Sequence, residues 1–135
     1  MTKPRADVAV VDDEEPIRRA LLRLMRSAGI AAQAFASGEE FLNSLQHGQP
    51  DCVILDLHMP DTTGFEVQAR LQKDWPEVAV IVVTGHHSVE TQARAMQCRP
   101  AAYLLKPMND STLLDAISSA LLARGAAGEP RDERA

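Results

Sequence analysis

Asp51-Cys52-Val53-Ile54-Leu55-Asp56-Leu57-His58-Met59-Pro60 is the stretch that decides the fold. Cys52 to Leu55 is an unbroken apolar run with two β-branched members, the pattern of a fully buried strand. It ends on a carboxylate, Asp56, and Pro60 and Gly64 follow closely. In an open α/β sheet, ligands sit just beyond the carboxyl ends of the strands. Asp56 therefore reads as a group presented to a site. An aspartate opening a surface turn would explain this stretch alone, but other apolar runs in the chain end in the same way.

Towards the N-terminus, Val8 to Val11 runs into Asp12-Asp13, then Glu14-Glu15. Pro16 stands where the first turn of a helix tolerates proline. Ile17, Leu21, Leu24 and Ala28 recur at helical spacing, and Gly29 reads as the stop. Ile30 to Phe35 is a weaker strand suited to an edge. Ser37 and Glu40 form a capping-box pattern ahead of Phe41, Leu42 and Leu45. Gly48 and Pro50 close that second helix.

Towards the C-terminus, a third helix after Gly64 carries Phe65, Val67 and Leu71 and stops at Pro76. Val78 to Val83 is a strand ending on Thr84-Gly85. Val89, Ala93 and Met96 mark a fourth helix. Ala101 to Leu105 is a fifth strand, ending on Lys106-Pro107. Asn109 or Ser111 caps a last helix carrying Leu114, Ile117 and Leu121. From Gly125 the chain is polar and rich in breakers, as in a tail or linker.

Five strands alternating with five helices imply a parallel sheet with right-handed crossovers and helices on both faces. The strand ends then bring Asp12, Asp13, Asp56, Thr84 and Lys106 to one edge of the sheet. Strand order is not legible from periodicity. The expected division is an N-terminal extension over 1–6, one domain over 7–123, and a flexible tail or start of a linker over 124–135.

Composition narrows the function classes. The chain has 135 residues, enough for one domain with a real core. Its net charge is −5, with no basic stripe, which argues against nucleic-acid contact by this domain. No apolar run is long enough to span a membrane. Met1-Thr2-Lys3-Pro4-Arg5 lacks the apolar core of a signal peptide. Cys52 and Cys98 have no metal-type spacing, and Cys52 reads as a small core hydrophobe. A reducing, cytoplasmic setting is expected.

Three crowded carboxylates repel one another unless a cation sits among them. Hard oxygen donors without thiolates favour magnesium, Mg2+, which keeps several waters and leaves room for an anionic substrate. Lys106 adds positive charge and Thr84 a hydroxyl. The set suits phosphoryl transfer onto a carboxylate, where catalysis is positioning and charge neutralisation.

Asp7 to Ala123 resembles the receiver domain of bacterial two-component response regulators. The matching pieces are Val10-Val11-Asp12-Asp13-Glu14, Ile54-Leu55-Asp56-Leu57-His58-Met59-Pro60 with Gly64, Val82-Val83-Thr84-Gly85, and Tyr103-Leu104-Leu105-Lys106-Pro107. Ile81-Val82-Val83-Thr84-Gly85-His86 looks most like receivers of the nitrogen-fixation regulator type, which carry a C-terminal helix-turn-helix.

The resemblance implies a flavodoxin-like, doubly wound (βα)5 fold with strand order 2-1-3-4-5. It implies that Asp56 accepts a phosphoryl group from a sensor histidine kinase. Asp13, Asp56 and the backbone carbonyl of His58 would ligate magnesium, and Asp12 would act through water. Lys106 would pair with phosphoryl oxygens, and its bond to Pro107 would be cis. Thr84 would move toward the phosphoryl group while Tyr103 turns inward. That would repack the face made by the fourth helix, fifth strand and fifth helix, with a possible homodimer through it. Such a domain accepts and sheds a phosphoryl group and is not a turnover enzyme. Its output is transcription control through a further domain, or docking as a stand-alone or degenerate receiver.

Several residues depart from the family pattern. Arg99-Pro100 replaces a Gly-Ala pair, and Pro100 is expected to push Arg99 into extended backbone, altering the loop into the fifth strand. Ala102 stands where winged-helix regulators often carry a dimer acid, and Met108 replaces a frequent phenylalanine as packing only. His58 and His86, each two residues past a key position, are candidates for tuning acyl-phosphate lifetime, against a bland reading as exposed loop histidines. A zinc site from His58, His86 and His87 lacks a recognised ligand spacing. A haloacid-dehalogenase-like phosphatase would need a second acid where His58 stands. A flavin module would not tolerate Asp12-Asp13-Glu14-Glu15 beside a phosphate.

Overall fold

Cys52–Asp56 is a strand, β3, buried at every position. The structure is a computed structural model that describes residues 7–128, so the expected extension over 1–6 and positions 129–135 of the expected 124–135 tail lie outside the described residues. β3 is the middle of a parallel sheet with β1 (Asp7–Val11), β2 (Ala31–Phe35), β4 (Ala79–Thr84) and β5 (Ala102–Leu105). The order is β2-β1-β3-β4-β5, the doubly wound flavodoxin-like arrangement expected from the resemblance. The helices are α1 (Glu15–Ser27), α2 (Gly38–Ser44) with a 3-10 turn over Leu45–His47, α3 (Gly64–Asp74), α4 (Val89–Met96) and α5 (Asp110–Gly128).

Successive strand residues point to opposite faces, so a sheet covered on both sides needs apolar residues at every position. Val8, Val10, Cys52, Ile54, Ile81 and Val83 pack with Leu21 and Met25 of α1 and Leu113 and Ile117 of α5. Ala9, Val11, Val53 and Leu55 pack on the other face with Phe41, Leu45, Val67 and Leu71. A smaller group joins Leu57, Val82 and Ala95, with Phe65 and Tyr103 against it. β2 is the edge strand opposite β5, and none of its positions is fully buried. Cys52 is core, and Met108 packs against the same core.

The helix ends follow local chemistry. Gly29, with φ 75°, takes the left-handed position after α1. Ser37 Oγ accepts the Glu40 N–H, but the Glu40 carboxylate turns to the Ala36 N–H at 3.0 Å rather than to Ser37. The complete capping box lies at Thr63 and Glu66, opening α3. Asn109 caps α5, its Oδ1 accepting the Thr112 N–H at 2.7 Å.

α5 buries Leu113, Ile117 and Ala120, and the half-buried Leu114 and Leu121 pack against the same core, in keeping with the expected spacing. Three expectations are corrected. α5 continues through Gly125 to Gly128. A glycine costs a helix about 1 kcal/mol but does not end it, and Ala126 and Ala127 are strong helix formers. In α4, Val89, Ala93 and Met96 face outward, and the residue turned to the core is Ala95.

The third correction is Arg99. It has φ 52°, the left-handed turn, not the extended backbone expected before Pro100. Its N–H closes the end of α4 on the Met96 carbonyl at 3.0 Å, and the Ala101 N–H enters the sheet on the Val80 carbonyl at 2.7 Å. Those two hydrogen bonds reverse the chain over Arg99 and Pro100 and outweigh the local preference. Pro100 sits at the one position between them where no amide donor is used.

Candidate functional site

β1 and β3 are neighbours, and both end at the same edge of the sheet. Their ends bring carboxylate oxygens of Asp12, Asp13 and Asp56 within 4.8 Å of one another. Asp12 and Asp56 are buried, while Asp13 faces solvent. The chain leaves β3 so tightly that Gly64 packs on the backbone of Asp56. A Cβ there would collide with the Asp56 carbonyl oxygen and stand 2.6 Å from Leu57 Cα. Glycine is required at that position for space, since the loop passes directly behind the acid.

Lys106 reaches in from the end of β5. Its Nζ donates to Asp12 Oδ2 at 2.8 Å and lies 3.6 Å from Asp56 Oδ1. The other Asp12 oxygen accepts the Glu14 N–H at 2.9 Å, and the Asp12 backbone carbonyl accepts from the Arg18 guanidinium at 2.8 Å. The Lys106–Pro107 bond is cis. Burial alone would lower the Lys106 pKa, but the hydrogen bond to Asp12 and the charges of Asp56 and Asp12 raise it above the usual lysine value. Burial pushes Asp56 up; Lys106 opposes this, Asp12 and Asp13 add to it, and an amide hydrogen bond from His58 lowers it. The balance stands at about 6.

Thr84, at the end of β4, is fully buried. Its Oγ1 accepts the His86 N–H at 3.0 Å and lies 3.1 Å from His58 Nδ1. The exposed His58 ring meets His86 edge-on at 5.0 Å between centroids and Phe65 at 6.2 Å. Burial, then His86 and Lys106, hold the His58 pKa below its usual value. Half-buried Tyr103 places its hydroxyl 3.0 Å from His87 Nδ1. His87 therefore belongs to the Tyr103 side, and the three-histidine zinc arrangement does not form. Among the described residues, the group able to hold a metal ion is the aspartate set.

The structure thus brings together Asp12, Asp13, Asp56, Thr84 and Lys106, with Tyr103 one step removed on the neighbouring face. Sequence reasoning missed the contacts that the histidines make. His58 on Thr84 and His87 on Tyr103 involve no recognisable spacing, and only the fold reveals them.

The donor set contains oxygens only, and it fits a hard divalent cation such as magnesium. The family described as response regulator receiver domain matches residues 8–118. The chain belongs to that family. Nodulation protein W of Bradyrhizobium diazoefficiens is 35% identical over 116 residues, covering 86% of this chain and 51% of that protein. The transcriptional regulatory protein FixJ of Azorhizobium caulinodans is 32% identical over 127 residues, covering 94% of this chain and 60% of that protein. A solved receiver protein structure from Burkholderia phymatum is 42% identical, with a TM-score of 0.77, covering 87% of this chain and 95% of that one. The receiver spans about half the length of several curated relatives it matches. The family's function is to accept a phosphoryl group in two-component signalling, and its members bind magnesium at an acidic pocket. No helix among the described residues is long and apolar enough to cross a membrane.

Proposed function

We propose that Asp56 is the phosphoacceptor of this receiver. The observation that carries the reading is a buried carboxylate at the end of the central strand, with Lys106 Nζ 3.6 Å away and two further acids beside it. An Asp56 oxygen attacks the phosphorus of a phosphohistidine on a sensor kinase. The P–N bond breaks, the P–O bond of an acyl phosphate forms, and the histidine leaves after taking up a proton. Asp56 must be ionised to attack, and Lys106 favours that form. Lys106 then pairs with phosphoryl oxygens. Asp13, Asp56 and the backbone carbonyl of His58 would hold magnesium, and Asp12 would reach it through water. A bound magnesium ion offsets negative charge on the transferring group.

Asp12 supports this division of labour, because both of its carboxylate oxygens already have partners in Lys106 and Glu14. Thr84 and Tyr103 are the switch residues in this reading. The face of α4, β5 and α5 is the output surface, and its exposed Val89, Met96 and Leu105 suit a partner or a second copy. The output is control of transcription by the longer regulator, as the name of the FixJ relative suggests. The setting is cytoplasmic. The test is intact mass after incubation with acetyl phosphate, with and without magnesium, beside Asp56→Asn. A magnesium-dependent gain of one phosphoryl group, absent in the variant, is expected. An equal gain in Asp56→Asn would overturn the assignment.

A further inference from the structure

Thr84 has one hydroxyl proton and no solvent exposure to dispose of it. A buried donor left without an acceptor is costly. Thr84 Oγ1 already accepts the His86 N–H, so the proton must be donated elsewhere. Among the described residues, His58 Nδ1 at 3.1 Å is the one acceptor within reach. A neutral imidazole has a single lone-pair nitrogen. His58 therefore carries its proton on Nε2 and receives the Thr84 hydroxyl on Nδ1. The ring is held for this by edge contacts to His86 and Phe65.

We propose that His58 is a positioning residue that holds the Thr84 hydroxyl in the unphosphorylated molecule. Its Nδ1 is the acceptor that a phosphoryl group on Asp56 must displace. Thr84 has only one proton to give, so it cannot serve His58 and a phosphoryl oxygen together. The histidine thus sets the threshold of the switch by competition for one hydrogen bond. This is a distinct role from covering the acyl phosphate or placing water. It rests on the assignment of Asp56 as phosphoacceptor.

The test has two readouts on the full chain. The first is the 15N shifts of the His58 imidazole by NMR, in the unphosphorylated protein and in Thr84→Val. The expected result is an Nε2–H tautomer in the native chain, and a mixture once the hydroxyl is gone. The second is the affinity for beryllofluoride with magnesium, a mimic of the phosphoryl group on Asp56. His58→Phe keeps the ring but removes the acceptor, and affinity is expected to tighten about three- to tenfold, the range of one net hydrogen bond. His58→Asn offers an oxygen near the position of Nδ1 and is expected to restore weaker binding. An Nδ1–H tautomer in the native chain, or His58→Phe binding no tighter than native, would overturn the proposal. Beryllofluoride that fails to bind the native chain, together with no phosphoryl gain, would instead remove the phosphoacceptor assignment on which the displacement depends. The tautomer would still report the Thr84–His58 bond.

Discussion

Lys106 Nζ stands 2.8 Å from Asp12 Oδ2, joining residues 94 positions apart in the chain. The contact closes β5 onto β1 across the ends of β4 and β3. It also keeps a positive charge beside two acids that are both buried. Removing one member of such a group leaves the others uncompensated. In metal-free buffer, Lys106→Met is expected to lower stability by about 1–3 kcal/mol, discounted for partial exposure. Phosphoryl uptake from acetyl phosphate should fall on the order of 10- to 100-fold. Urea unfolding and a time course of intact mass check both. A variant as stable and as reactive as the native chain would show that the ion pair is incidental.

Asp56 gives a pH dependence with a definite sign. Its pKa is pushed up to about 6 in the folded chain, against an ordinary 3.8 for an aspartate carboxyl. The folded state therefore binds more protons than the unfolded chain between those values. Stability must fall as pH rises through that window, and the cost persists above it. Asp56→Asn removes the cost. Without metal, the variant is expected to be more stable than the native chain at pH ~7.5, by about 1–2 kcal/mol after screening. The advantage should vanish near pH ~4, where the native acid is protonated. Melting curves at the two pH values decide it.

Metal affinity should move with pH in the opposite direction. Carboxylate ligands must be ionised to bind a cation. Magnesium is expected to raise the melting temperature clearly at pH ~7.5 and little at pH ~5. Chelation should reverse the effect. A gain independent of pH would place the ion somewhere other than the Asp12, Asp13 and Asp56 cluster.

Gly64 is a steric requirement. Any Cβ at that position overlaps the Asp56–Leu57 backbone. Gly64→Ala is expected to cost at least about 2 kcal/mol, because the atoms a Cβ would meet are backbone atoms that cannot swing aside. It should also slow phosphorylation by displacing Asp56. Thermal unfolding of the variant, compared with Ala at the exposed Gly29, is the check.

Arg99 offers the converse case. A side chain in the left-handed region costs on the order of 1 kcal/mol. Arg99→Gly is therefore expected to stabilise the protein by roughly 0.5–1 kcal/mol, less the entropy that glycine adds to the unfolded chain. No gain in midpoint on urea unfolding would mean that the arginine side chain compensates for its backbone.

Much of this was legible in the sequence because the sheet is parallel and covered on both sides. Runs such as Val8–Val11 and Cys52–Leu55 carry no polar interruption, so their ends are sharp, and the site lies at the ends. The five residues gathered at that edge were legible for that reason. What was not legible depends on contacts between distant segments. Arg99 looks as though it should be extended, yet bonds to Met96 and Val80 on either side of it fix the turn. Val89 and Met96 have helical spacing but face outward, because the group that meets the core is the small Ala95.

α4 is joined to the rest of the protein by very little. One methyl group is buried, and the Gln68 amide grips the Ala95 carbonyl at 3.1 Å. The Gln68 oxygen has no partner among the described residues. Arg94 adds one stacking contact over Phe65 at 4.1 Å. Burying a methyl is worth only about 1 kcal/mol. The free energy of opening for this helix must then lie far below that of β3, and its amides should exchange with solvent first among the helices of the domain. An element so lightly anchored opens at small cost. A change of a single hydrogen bond at Thr84, four residues before the helix cap at Ser88, is on the same energy scale. The smallness of Ala95 is what keeps this anchor light.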